Sequence, residues 1–406
     1  MPPTTSPAPP MTPSPTLTPT LAPPSPIVTP SPTVANVGTP RLIGYFDGVE
    51  RTHHVSDIPA DQLTHVIYAF VDVSDKGECV SIDPAADQAN FPGLRQLKQQ
   101  HPALQTMVSA GGYSHSARFS DAARTLDSRR RFAQSCVQWM KQNGFDGIDI
   151  DWEFPVGGGQ AGNVHRPDDK QNFTALLAAL RQQLDARGQA DGRSYLLSIA
   201  APAGPTEMAN LEMGQIAGYV NWIDVMAYAF YTGGSKTTNF NAPLYPTSND
   251  PATDEKKRLL YNADAAVQAY LRAGVPAEEI SLGVPFYGRG WKGVSPENNG
   301  LYQGDGGVFV DSRAPKGTWS RGGEIDYRML KQYYLGTWPR FWQAEAQVPW
   351  LYNASVGVMV TYDDPQSLAA KADYAKTRHL GGVAIWQVSG DDDQHSLVNA
   401  LAAHLK

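Results

Sequence analysis

The sequence predicts an α/β fold, a (β/α)8 TIM barrel with an α+β insertion between its seventh and eighth strands. Three observations carry that expectation. After residue 40 the chain alternates eight short β-like runs with helical stretches, the count such a barrel needs. The fourth run sets carboxyl groups at every second position, which is strand periodicity. The spacing between runs is even until a long stretch, about Gly288 to Gly381, parts the seventh run from the eighth.

Residues 1–40 hold 14 prolines and 9 threonines, and the first charged side chain is Arg41. A segment this poor in apolar and charged groups reads as a disordered linker in extended polyproline-like conformations. Linkers of this composition tether secreted catalytic domains to binding modules. The expectation is therefore an extracellular, secreted protein whose signal and carbohydrate-binding module stood upstream. Residues 41–406 are expected to form the catalytic barrel domain, including an inserted subdomain at about 290–355.

Candidate strands are Arg41 to Phe46, Thr64 to Val71, Leu104 to Ser109, Phe145 to Trp152, Tyr195 to Ala200, Trp222 to Tyr228, Ile280 to Pro285 and Gly382 to Gln387. Helices fit between them. Ser128 to Asn143 carries Phe132, Cys136, Val137 and Met140 on one face and ends at Gly144, and Asp169 to Arg187 places Phe173, Leu176, Leu177, Leu180 and Leu184 at helical spacing before Gly188. Those stripes are core. The long stretch contains a strand-like Val356 to Tyr362, and a helix from Pro365 to His379 leads into strand eight.

Composition narrows the partners. With 33 basic against 40 acidic residues the formal charge is -7, which argues against nucleic acid or an anionic membrane surface. No apolar run is long enough to span a bilayer. A neutral substrate fits better, and 18 Tyr and 9 Trp supply flat apolar platforms of the kind sugar rings stack on, although aromatics are equally core material. Cys79 and Cys136 allow one bridge at most, and a buried free thiol at Cys136 competes with it. The protein is expected to be a monomer without a cofactor or metal.

The stretch Asp146 to Glu153 reads Asp-Gly-Ile-Asp-Ile-Asp-Trp-Glu. On a strand Asp149, Asp151 and Glu153 project to one face while Ile148, Ile150 and Trp152 face the other. Carboxylates that close repel and push at least one pKa upward, a cost a chain carries where the proton is used. A solvated edge strand would not have so continuous an apolar face, and a hard-cation site is matched only loosely.

This octet matches an Asp-x-x-Asp-x-Asp-x-Glu signature at every fixed position and so resembles the family 18 glycoside hydrolases, the chitinases and their relatives. Other strand ends agree in order: Ser109-Ala110-Gly111-Gly112 resembles the family's Ser-x-Gly-Gly, Met226-Ala227-Tyr228 its Met-x-Tyr, and Gly283 to Arg289 and Gly382 to Gln387 its strand ends seven and eight. The insertion is similar to that of the group with a deep groove. The resemblance implies hydrolysis of chitin or N-acetylglucosamine oligomers with retention, the substrate's own 2-acetamido oxygen attacking to give an oxazolinium intermediate. Glu153 would be the acid, with neighbouring carboxylates helping to keep its proton on. Asp151 would hold the acetamido N–H and share a proton with Asp149 as a coupled pair. Tyr228 would donate to the acetamido carbonyl and Trp386 would form the floor under the sugar.

Tyr45 and Ser109 resemble the supports of the inner carboxylate, and Asp146 looks structural. Met226, Gly112, Tyr287, Arg289, Tyr113 and Phe70 are candidate groove residues, each aromatic having barrel core as its competing reading. One position departs from the pattern. The family continues Met-x-Tyr with Asp, and here Ala229 follows Tyr228, so hydrolysis is expected to be reduced rather than abolished. A chitin-binding lectin on the same barrel and an endo-β-N-acetylglucosaminidase acting on glycoprotein glycans are the alternative functions. Asn172 and Asn353 open glycosylation-type triplets.

Overall fold

The computed structural model of the chain describes residues 39–49, 53–304, 306–320 and 322–405, together with Met1. Of the two units into which the chain divides, Met1–Asn36 and Val37–Lys406, the second carries the described elements. The expected Pro/Thr-rich linker lies outside the described residues apart from Met1, Thr39 and Pro40.

In chain order the strands are β1 (Arg41–Asp47), β2 (His65–Val73), β3 (Cys79–Ser81), β4 (Gln105–Gly111), β5 (Gly147–Asp151), β6 (Leu196–Pro202), β7 (Trp222–Met226) and β8 (Ile280–Pro285). There follow β9 (Tyr287–Lys292), β10 (Glu324–Asp326), β11 (Arg340–Gln343), β12 (Val348–Asn353), β13 (Val358–Thr361) and β14 (Gly382–Trp386). Eight of them, β1, β2, β4, β5, β6, β7, β8 and β14, pair in parallel, and the β1–β2 ladder closes the ring. A closed barrel leaves no strand edge unpaired. The eight strands lie where the alternating pattern predicts them.

Alternation along each strand sorts side chains between two cores. On β5, Ile148 and Ile150, followed by Trp152, face outward and are buried under the helices; Trp152 stacks on Phe119 at 5.5 Å and meets Phe173 edge-on at 5.5 Å. The opposite parity, with Ile43, Tyr45, Ile67, Met107, Trp222 and Ala384, fills the barrel interior. Asp149 and Asp151 share that inner parity and point up the bore toward the C-terminal strand ends, where barrels of this kind place their sites.

The helix Leu126–Asn143 opens on Thr125, whose hydroxyl accepts from Ser128 N–H, and closes on Gly144 at φ 81. Its buried face holds Phe132, Cys136, Val137 and Met140 as predicted. The helix Asp169–Asp191 runs past its predicted end: Gly188 lies inside it, and the left-handed stop is Gly192 at φ 66. A Cβ at Gly188 would stand 2.4 Å from Arg193 O, so this glycine permits a close crossing rather than a turn. Cys136 on the first of these helices is bonded to Cys79 on β3, with Cα atoms 5.0 Å apart, so the thiols left open by the sequence are paired.

The insertion is an antiparallel five-stranded sheet in the order β10-β9-β13-β12-β11, with the helix Tyr327–Tyr333 against it. A single residue, Phe286, separates barrel strand β8 from sheet strand β9, and its N–H donates to Trp386 O at 2.8 Å. No described helix is long and apolar enough to cross a membrane.

Candidate active site

β5 positions the carboxylates at graded depth. Asp149 is fully buried and receives three donors: Ser109 Oγ at 2.7 Å, Ser198 Oγ at 2.7 Å and the Tyr45 hydroxyl at 3.2 Å. Burial raises its carboxyl above the usual range, and those donors offset only part of the rise. Asp151, one pleat higher, is 4% exposed and its Oδ1 has no partner. Burial holds it well above the usual range, and the charges of Glu153, then Asp149 and Asp224, push the same way. Glu153 follows the end of the strand, half-buried, and burial raises it to about 7. The sequence pattern attributes that proton to neighbouring carboxylates; removal from water is the dominant cause. Ser116 Oγ accepts its backbone N–H at 2.8 Å, and Asn163 Nδ2 donates to its carbonyl at 2.9 Å, which fix the main chain at the acid.

The glycines after Ser109 are explained by crowding. A Cβ on Gly111, at φ 113, would stand 2.1 Å from Asp151 O, and one on Gly112, at φ 86, 2.7 Å from the Phe70 ring. The main chain of β4 can therefore lie directly against β5 where the carboxylates emerge.

Around the row the predicted residues converge. Phe70 stacks on Trp386 at 5.5 Å, and Tyr45 meets the same indole edge-on at 5.9 Å. Trp386, Met226, Tyr228, Asp151, Tyr45 and Asp224 line one cavity at the mouth of the bore. Tyr228 packs edge-on against Tyr287 at 6.2 Å, the Arg289 guanidinium lies over the Tyr287 ring at 5.3 Å, and Arg289 pairs with Glu324 at 2.5 Å. The insertion therefore enters the site through the first strand of its own sheet, β9. Tyr113 is the most exposed of the candidates, at 57%, and lies near enough to Arg289 for the two to interact electrostatically.

Asp146 is not part of the row. It sits at the foot of β5, accepting from Thr106 N–H at 2.9 Å and paired with Lys98 and Arg193, each at 2.6 Å, which holds its carboxyl below the usual range despite burial. Its role in the structure is to fasten β5 to the neighbouring segments.

Three residues near the row escape the sequence reading. Ser198 on β6 and Asp224 on β7 both face the bore, and Asn241 is 1% exposed beside Ala229. Asn241 Oδ1 accepts the Ala229 N–H at 3.1 Å, while its Nδ2 stands by the Tyr287 hydroxyl without a formed hydrogen bond. Ala229 itself is exposed, at φ 57. Inward parity on β7, running Trp222, Asp224, Met226, was the available signal for Asp224. Among the described residues no group of three or more His, Cys, Asp and Glu side chains is placed to hold a metal ion.

The family model described as Glycosyl hydrolases family 18 matches residues 41–391. Chitinase A1 of Niallia circulans is 37% identical across 90% of this chain, which spans 58% of that protein's length. A solved chitinase of Bacillus thuringiensis superposes with a TM-score of 0.83 at 33% identity, covering 91% of this chain and 70% of the other. A family 18 N-acetylglucosaminidase from Paenibacillus barengoltzii superposes at 0.78 with 32% identity, covering 90% of this chain and 99% of the other.

Proposed function

The chain belongs to the family 18 glycosyl hydrolases, and on that premise we propose that it cleaves β-1,4 bonds between N-acetylglucosamine units of chitin, with retention and with help from the substrate. The observation that carries this reading is the graded row itself. Glu153 is half-buried with its proton held to about 7, and Asp151 lies beneath it in the cavity that Trp386 and Tyr228 line.

Glu153 protonates the leaving oxygen, which needs a carboxyl that is still neutral near neutrality. The 2-acetamido oxygen of the same sugar attacks the anomeric carbon, forming the ring of an oxazolinium ion as the glycosidic bond breaks. Asp151 accepts the acetamido N–H and offsets the positive charge of that ion, and Tyr228 donates to the acetamido carbonyl. Water then opens the ring, Glu153 taking its proton, so the anomeric configuration is kept. Asp149 sits one layer deeper, its charge supported by Tyr45, Ser109 and Ser198. Trp386 forms the apolar floor for the sugar, with Phe70 stacked beside it, and Tyr287, Arg289 and Tyr113 extend the groove. The Pro/Thr-rich segment before residue 41 supports action outside the cell, on a polymer, tethered to a binding module.

A second reading draws on Ala229, which puts a methyl where the resemblance implies a carboxylate: a chitin-binding barrel with weak hydrolysis. Product analysis on a defined N-acetylglucosamine oligomer, with the anomeric form recorded as bonds break, separates the two. Shorter oligomers appearing as the β-anomer support substrate-assisted hydrolysis. Products of the α-anomer, or tight binding without cleavage, sink it.

A further inference from the structure

Tyr45 Oη lies 3.2 Å from Asp149 Oδ2 and 3.0 Å from Asp224 Oδ2. A phenol has one proton, so it donates along only one of these contacts. The other is a bare oxygen–oxygen approach between buried lone pairs unless a second proton is present. Two carboxylates sharing such a site cannot both ionise freely.

The partners on either side say where that second proton rests. Asp149 has two further donors, the Ser109 and Ser198 hydroxyls, both at 2.7 Å. Asp224 has only the Trp222 indole N–H, at 3.1 Å, and its Oδ1 is buried without a partner. The better-solvated anion is Asp149. We propose that Asp224 is a positioning residue for the cleavage reaction: as a neutral carboxyl it donates from Oδ2 to Tyr45, Tyr45 donates to Asp149, and the charge state of the whole row depends on this proton.

The surroundings of Asp224 agree. Tyr45 and Arg41 face it from β1, Asp149 and Asp151 from β5, Trp222 from its own strand and Tyr228 from the segment that follows; Ser281, its register partner on β8, has an unpartnered hydroxyl. The guanidinium of Arg41 lies over the Trp222 ring at 5.2 Å, and its charge lowers the Asp224 pKa, as do the bonds from Trp222 and Tyr45. Burial and the Asp149 charge outweigh them and raise the carboxyl to about 7. Asp224 also lines the same cavity as Asp151 and Tyr228, so its ionisation is felt beneath the bound sugar. As pH rises past that value, a new negative charge appears under the row. It raises the proton affinity of Asp151 and, through it, of Glu153, which keeps the acid protonated to higher pH.

This inference rests on the proposed retaining mechanism, and its test separates the two. Asp224→Asn keeps the shape but cannot ionise, and its amide oxygen can still accept the Trp222 N–H. The alkaline limb of kcat/KM on a fluorogenic N-acetylglucosamine oligomer is expected to move to lower pH by about half a unit or more. In the Glu153→Gln background, the infrared band of a protonated carboxyl that titrates near neutrality is expected to vanish when Asp224→Asn is added. That second readout needs no substrate, so it stands or falls independently of the reaction assigned to the site. An unmoved limb together with an unchanged band overturns the proposal. Should Asp224→Asn fail to fold, neutron diffraction on the unmodified chain at mildly acidic pH decides the matter: deuterium on Asp224 supports it, and deuterium on Asp149 with Asp224 bare overturns it.

Discussion

Ser198→Ala isolates the electrostatic support of the carboxylate row with the least disturbance. The side chain is fully buried, the replacement is nearly isosteric, and the one bond lost is the 2.7 Å donation to Asp149 Oδ1. A hydrogen bond to a charged group contributes about 1.5–3 kcal/mol, and one pKa unit corresponds to about 1.4 kcal/mol. Losing it should raise the Asp149 pKa by about 1 to 2 units, toward the lower end because Ser109 and Tyr45 still donate. The sign follows from the mechanism. Asp149 works as an anion, so a higher pKa moves the acid limb of kcat/KM upward by about 1 unit while the alkaline limb, set higher in the row, stays. The assay is kcat/KM against pH on a fluorogenic N-acetylglucosamine oligomer, with a melting curve to establish that the variant is folded. A folded variant whose acid limb stays within about 0.2 unit of the parent, or moves down, refutes the assignment of Asp149 as a supported anion.

Three further outcomes are expected. Glu153→Gln should lower cleavage by at least about 10³-fold while oligomer binding survives. It should also melt higher than the parent above pH 7, because a carboxyl whose folded pKa is raised from 4.5 to about 7 loses stability as pH climbs through that range; equal melting at pH 8 would contradict that burial. Ala229→Asp places a carboxylate beside the Asn241 amide in a left-handed conformation that Asp tolerates. It should raise kcat/KM and alter the pH profile, and an unchanged profile argues against any part for this position. Lys371 and Asp363 form an ion pair of 2.6 Å with both side chains 1% exposed. Lys371→Met should cost about 3–5 kcal/mol in denaturant unfolding, and adding Asp363→Leu should recover most of it. A single variant as stable as the parent would show that the pair is not carried as two charges.

The barrel was legible because each strand announces itself locally, by a short apolar run between turn residues, and the carboxylates because they recur at every second position of one such run. What escaped depends on pairings between distant segments. Ser198 reads as one polar residue in an apolar strand, and only the register of β6 against β5, which sets it opposite Asp149, brings the two together. Asp224 has the inward parity of Met226, yet its link to Tyr45 joins strands far apart in the chain. The Cys79–Cys136 bond spans 57 residues, and no local pattern reports the distance between its ends. Gly188 looked like a helix stop because glycine serves both for turns and for close crossings, and the neighbour that decides between them, Arg193, arrives from beyond the helix.

The single residue between β8 and β9 bears on how such a groove can diversify. Because Phe286 is hydrogen-bonded to the carbonyl of Trp386, Tyr287 and Arg289 stand on a wall anchored beside the floor, with no hinge between them. The far strands of the inserted sheet, β11 and β12, hang from that wall through β13. Loops at this outer edge can lengthen, shorten or change chemistry and so reshape the reach of the groove along a polymer. The carboxylates, built on strands of a closed ring, would keep their spacing throughout. Substrate length and reaction chemistry are thus separately mutable in this architecture.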